Sequence, residues 1–343
     1  MANTSILEFG EEDYGNVLHL EHLNLDISDQ QLASVFYCEG LGLTRDPYDK
    51  PSIPTMWINA GFQQFHLGQK GKGSQVVQGM CVGLIYPDIN MLEIGLKAVE
   101  NKLKGTKFSW QKCSVDISSA SNKYDVFSSI WNQNSNSAGN FQFLEVTCPW
   151  GNKFRIHEGH QGKPHIIRSN APVDQTHHEQ IFPFLLIRGS LGLAYVEFPI
   201  PHKTSQHISN FYSKFFGAPT QVVGCACYVS VGPFQNLIFK EAAEGFNVED
   251  VGHHISFYVS NFESTFKKLK ERNLIFVHEK FPDRVNSLEE AKRWKQFRFK
   301  NFVLDGTDEV FFSLEHEVRS VSHTSFMRPL VNRFGFNGMF GNQ

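Results

Sequence analysis

The sequence has no apolar run of the roughly 18 or more residues that a membrane-spanning helix requires. It has little net charge, −3 over 343 residues, so the broad basic field that holds nucleic acid is missing. It has no CxxC pair among its six cysteines, Cys38, Cys81, Cys113, Cys148, Cys225 and Cys227. Cys225 and Cys227 flank a single alanine and read as small buried hydrophobes, which fits a reduced, cytoplasmic protein. GxGxxG, P-loop, GxSxG and HExxH patterns are all absent, which removes the common signatures of dinucleotide binding, nucleotide hydrolysis, serine esterases and zinc peptidases. The opening, MANTSILEFGEEDYGN, is acidic and lacks the basic-then-apolar order of a secretory signal. Neither a nucleic acid nor a membrane is expected as a partner.

What is present is a soluble composition, 41% hydrophobic and 20% charged, with 32 phenylalanines to dominate the cores. The length suits two domains. A repeat supports that division. FYCEGLGL (36–43) and FYSKFFGA (211–218) share a Phe-Tyr pair followed at the same distance by glycine. Before each lies a strand-like segment, VLHLEHLNLDI or GLAYVEFPI, and then a helix start with Ser28 or Asp29, or Thr204 or Ser205, as cap. After each come two strands around a glycine turn, MWINAGFQQFHLGQ (56–69) and CYVSVGPFQNLIFKEA (227–242). A strand and an amphipathic helix follow, at 80–103 and 253–273, with Phe262, Phe266 and Leu269 at helical spacing in the second. Each half closes on a strand, NKFRIHE (152–158) or VFFSLEHE (310–317). The near-constant offset marks one unit written twice, and each unit is itself doubled. A Ser- and Asn-rich stretch, 106–140, reads as containing a long surface loop.

LEHLNLDISDQQLASVFYCEGLGL resembles the opening of the vicinal oxygen chelate superfamily, which includes glyoxalase I, bleomycin-resistance proteins and extradiol dioxygenases. The matching positions are His22, Asp29, Phe36-Tyr37 and Leu41-Gly42, and CPWGNKFRIHE (148–158) is similar to the usual closing strand. The resemblance covers roughly residues 16–333. It implies an α+β fold of two tandem domains, each of paired βαβββ modules curled around a cavity. The expected division is a first domain at 16–159, a linker at 160–185, a second domain at 186–320 and a tail at 321–343.

Metal-dependent members of that superfamily take ligands from the first and last strands of paired modules. In the first half the resemblance places His22 and His66 at two such positions, with Val82 and Arg155 where a His and a Glu are usual. His157 shares strand parity with Arg155. His22, His66 and His157 are then either a three-histidine site, with Arg155 as an anion clamp, or the lining of a metal-free pocket for an anionic molecule. In the second half Glu197, His254 and Glu315 are the expected ligands of a divalent ion (Fe, Mn or Zn), with Ile238 at a position that cannot ligate. Glu315 otherwise belongs to a polar surface cluster with His316 and Glu317, and His253 faces away from His254. The implied function is that of a metal-dependent dioxygenase or lyase acting on a small oxygenated, including aromatic, molecule. The alternative is a small-molecule sequestering protein of the bleomycin-resistance type.

Overall fold

The computed structural model describes residues 15–48, 54–69, 73–116, 140–158, 190–232, 235–279 and 281–332. The first strand, β1 (Val17–Asp26), alternates apolar residues toward the core with polar ones toward the opposite face. Asp29 then caps helix α1 (Gln30–Ala33), its carboxylate accepting from the amides of Gln31 (2.7 Å) and Leu32 (3.0 Å). The helix widens at once into a π-turn, Ser34–Gly40, that buries Phe36 and Tyr37. The second half repeats the device: α3 (Ser205–Phe211) runs into a π-turn, Tyr212–Phe216, with Phe211 and Tyr212 buried. Gly217 closes the second turn at φ 58°, a conformation a side chain would resist.

The remaining elements follow in the expected order. They are β2 (Thr44–Arg45), β3 (Thr55–Ala60), β4 (Gln63–Gly68), β5 (Cys81–Tyr86), α2 (Ile89–Val99), β6 (Ser109–Asp116), β7 (Asn140–Thr147) and β8 (Lys153–Glu158). The second half has β9 (Gly192–Ile200), β10 (Thr220–Val223), β11 (Ala226–Ser230), β12 (Asn236–Glu241), β13 (His254–Val259), α4 (Phe262–Glu271), α5 (Leu288–Trp294), β14 (Gln296–Val303) and β15 (Val310–Ser320). The 106–140 stretch supplies β6 and the first residue of β7, and 117–139 lies outside the described residues. The 160–185 linker also lies outside them.

The fold is α+β, built from paired βαβββ modules, but the pairing differs from the order of the sequence. One sheet runs β14-β15-β13-β1-β4-β3-β2 and the other β10-β11-β12-β9-β5-β8-β7-β6. The first module therefore shares a sheet with the fourth, and the second with the third. In the seven-stranded sheet β1 is antiparallel to β13, and in the eight-stranded sheet β5 is antiparallel to β9. Pairing within each half would join the first module to the second and the third to the fourth; here the first joins the distant fourth, and the second joins the third across the two halves. Helices pair the other way, within each half. Helix α2 packs on the first π-turn, and α4 on the second. A Cβ at Gly95 would stand 2.6 Å from the carbonyl oxygen of Gly40, so the first contact depends on backbone meeting backbone. The convex sides of both sheets and the helices form one large apolar core. Among the described residues no helix is long and apolar enough to cross a membrane.

Candidate metal centre

The concave face of the seven-stranded sheet is polar. Gln64, His22, Ser256, Glu317 and Arg298 stand opposite one another on β4, β1, β13, β15 and β14. The next row on the same face is His66, Asn24, His254 and Glu315. Each of His22, His254 and Glu317 offers one atom to a group lying within 4.8 Å, and all three are buried. His22 Nε2 is 3.4 Å from His254 Nε2. His66 stacks on His22 with ring centroids 3.8 Å apart, and Trp57 stacks on the far side of His66 at 4.9 Å.

A shift of register between Leu20 and His22 gives Glu21 access to the same face as its neighbour. Glu21 Oε2 accepts a hydrogen bond from His22 Nδ1 at 2.9 Å. That contact places the proton on Nδ1 and aims the Nε2 lone pair at His254, the arrangement by which carboxylates orient metal-binding histidines. Burial drives the His254 imidazole well below its ordinary pKa, with His22 and Arg298 acting in the same direction, so its ring is neutral. Burial and His22 do the same to His66.

Glu317 lies between two guanidiniums. Arg298 donates to one of its oxygens and Arg319 Nε to the other, at 2.5 Å in the latter case. Burial works to raise its pKa, but Arg319 and Arg298 outweigh burial and hold it well below the carboxylate range. Arg319 also reaches Glu21, while Arg298 reaches Glu315 at 2.8 Å and Asp283 at 3.5 Å. Four carboxylates thus share two guanidiniums beside His22, His66 and His254. Burial raises the pKa of Glu315 above its ordinary value, Arg298 opposes, and Glu317 adds to the rise.

The expected residues are therefore redistributed. His22, His66 and His254 come together, although the sequence reading divided them between two sites. Glu315 is buried, not on the surface, but it is held by Arg298, and Glu317, two residues on and on the same face, stands with the histidines. His316, also assigned to the surface, is fully buried, its Nε2 2.6 Å from the Tyr212 hydroxyl. His253 does face the other way, against Phe198.

Arg155, His157 and Glu197 lie in the other sheet and join no histidine of the cluster. Arg155 pairs with Glu197 at 3.2 Å and with Glu145 at 3.8 Å, so its charge is met from within the protein. His157 Nε2 is 2.9 Å from the Tyr195 hydroxyl. Glu197, Cys81 and Lys153 occupy the row that corresponds by strand order to His22, Ser256 and Glu317, so a cation replaces the ligand carboxylate. The Tyr195 ring covers Gly83 so closely that a Cβ there would meet it at 2.2 Å. Tyr195, Tyr228, Ile238 and Phe143 fill this concavity with apolar bulk.

No family model matches the sequence, and no curated protein matches it. Solved structures do match in fold. Glyoxalase I from Zea mays aligns over 90% of this chain and 94% of its own, at 11% identity and a TM-score of 0.51. A substituted form of that enzyme in another crystal form aligns over the same shares at 11% identity and a TM-score of 0.50. A Vibrio cholerae integron cassette protein aligns over 41% of this chain and 95% of its own, at 18% identity and a TM-score of 0.26. The chain shares the fold of these glyoxalase I structures, here four βαβββ modules arranged in two mixed sheets.

Proposed function

We propose that the first and fourth modules hold one divalent metal ion, Fe, Mn or Zn, on His22, His254 and Glu317, and that the protein is a lyase or dioxygenase acting on a small oxygenated molecule. One observation carries the reading: three buried ligand atoms converge within 4.8 Å in a cluster with more carboxylate than guanidinium. Two imidazoles and a carboxylate are the donor set of open-sided catalytic sites. When bound, the ion acts as a Lewis acid that polarises two adjacent substrate oxygens. The chain's own groups do the rest. Glu21 fixes the tautomer of His22, Arg298 and Arg319 fix the carboxylate of Glu317, and the Trp57–His66 stack is a flat wall beside the ion position suited to an aromatic or enediol plane.

A metal-free binding protein is the second reading. It is favoured by the two arginines that already satisfy Glu317 without an ion. Elemental analysis of untagged protein, read per chain, decides between them. One equivalent of metal, lost in His254→Ala, supports the centre. Wild-type protein that takes up no Fe, Mn or Zn at micromolar levels leaves the binding reading.

A further inference from the structure

Ser256 lies in the middle of the candidate centre with no recognised task. It is fully buried, and its hydroxyl meets no hydrogen-bonding atom among the described residues. Register places it directly between two of the three ligand residues, opposite His22 on β1 and opposite Glu317 on β15. Its side chain shares a face with that of His254, two residues earlier on the same strand. A serine hydroxyl left unpaired in a buried site is a net cost, because its hydration has been lost and nothing replaces it. Ser256 is thus the short residue in a row whose neighbours, His22 and Glu317, carry long polar side chains.

We infer that Ser256 belongs to the metal's coordination shell, its hydroxyl lying either on the ion or on a water the ion holds. This rests on the metal reading proposed above. Two consequences separate Ser256 from a residue that merely fills space. Removing the hydroxyl stabilises the protein without metal, since an orphan is deleted, yet weakens metal binding, since a partner is lost. A cysteine in the same place puts sulfur, a soft ligand, beside the ion.

The test uses the full chain and Co(II) as probe. Titration of wild type, Ser256→Ala and Ser256→Cys is followed by visible absorption and calorimetry, with urea unfolding of each metal-free protein. The expected results are an affinity about tenfold or more lower for Ser256→Ala, a higher urea midpoint for the same variant without metal, and a near-ultraviolet sulfur-to-cobalt charge-transfer band only in Ser256→Cys. Equal cobalt affinity in wild type and Ser256→Ala, with no such band in Ser256→Cys, overturns the role of Ser256 and leaves the centre standing. Absence of stoichiometric cobalt uptake by wild type overturns the centre itself, and the inference with it.

Discussion

His253 offers a direct measurement of what a buried imidazole costs in this fold. It is only 4% exposed, its ring lies tilted against Phe198 at 5.5 Å, and neither ring nitrogen meets a partner among the described residues. Burial pushes its pKa down from 6.5 to about 4, with Asp250 opposing and Lys300 assisting. The unfolded chain therefore binds a proton that the folded chain refuses between those two values. The sign follows: stability is fullest above pH 6.5, falls as pH drops toward 4, and levels off below. Between pH 7 and 4.5 this one residue accounts for a loss of about 2 kcal/mol. His253→Leu removes the titrating group and keeps an apolar contact with Phe198. Urea unfolding of both proteins at pH 7 and pH 4.5 then yields a loss of stability smaller by about 2 kcal/mol in the variant. At pH 7 the variant is also the more stable, because two unpaired nitrogens are gone. Identical pH dependence in the two proteins would falsify the argument that His253 is held neutral by burial.

Other expectations concern the two sheets separately. Glu317→Gln lowers metal retention at least tenfold, whereas Glu197→Gln leaves it unchanged, because Glu197 lies in the other sheet beside Arg155; equal loss in both variants, read by elemental analysis, would contradict the redistribution. Gly83→Ala forces a methyl group into the Tyr195 ring, which is 2.2 Å away, and costs about 1–3 kcal/mol in thermal unfolding; a neutral outcome would mean that the eight-stranded sheet has room to bind something. Arg319→Met leaves Glu21 and Glu317 short of a counter-charge and destabilises the metal-free protein by about 3 kcal/mol or more. Added divalent metal restores part of that loss, and a variant indifferent to metal speaks against an ion beside Glu317.

Much of this fold was legible in the sequence, because strand alternation, Asp29 as cap and the doubled Phe-Tyr turn are local signals. The choice of partner modules was not legible, because nothing local distinguishes an edge that seeks its neighbour from one that seeks the far end of the chain. A hint was nevertheless present. His22 and His254 match the ligand positions of the resemblance, while Val82 and Ile238 do not. Regrouping the matches and the misfits by themselves gives the first and fourth modules, and the second and third. Glu317 was missed for a different reason. The run Glu315-His316-Glu317 looks solvated by composition, yet it is buried and met by Arg298 on the neighbouring strand, by Tyr212 from far away in sequence and by Arg319 two residues on. Parity permitted Glu315 and Glu317 equally, and only the cross-strand register opposite Ser256 and His22 separates them.

The crossed pairing of modules also bears on synthesis. A ribosome delivers β1 with His22 long before β13 and β15, so one edge of β1 waits for its partner until β13 (His254–Val259) has emerged. Unpaired strand edges invite association with other chains, and late long-range pairing slows folding. A chain ending before Val310 would carry both histidines and no Glu317. The three residues of the candidate centre thus come together only after β1, β13 and β15 have all been made, and Glu317 is the last of the three to emerge.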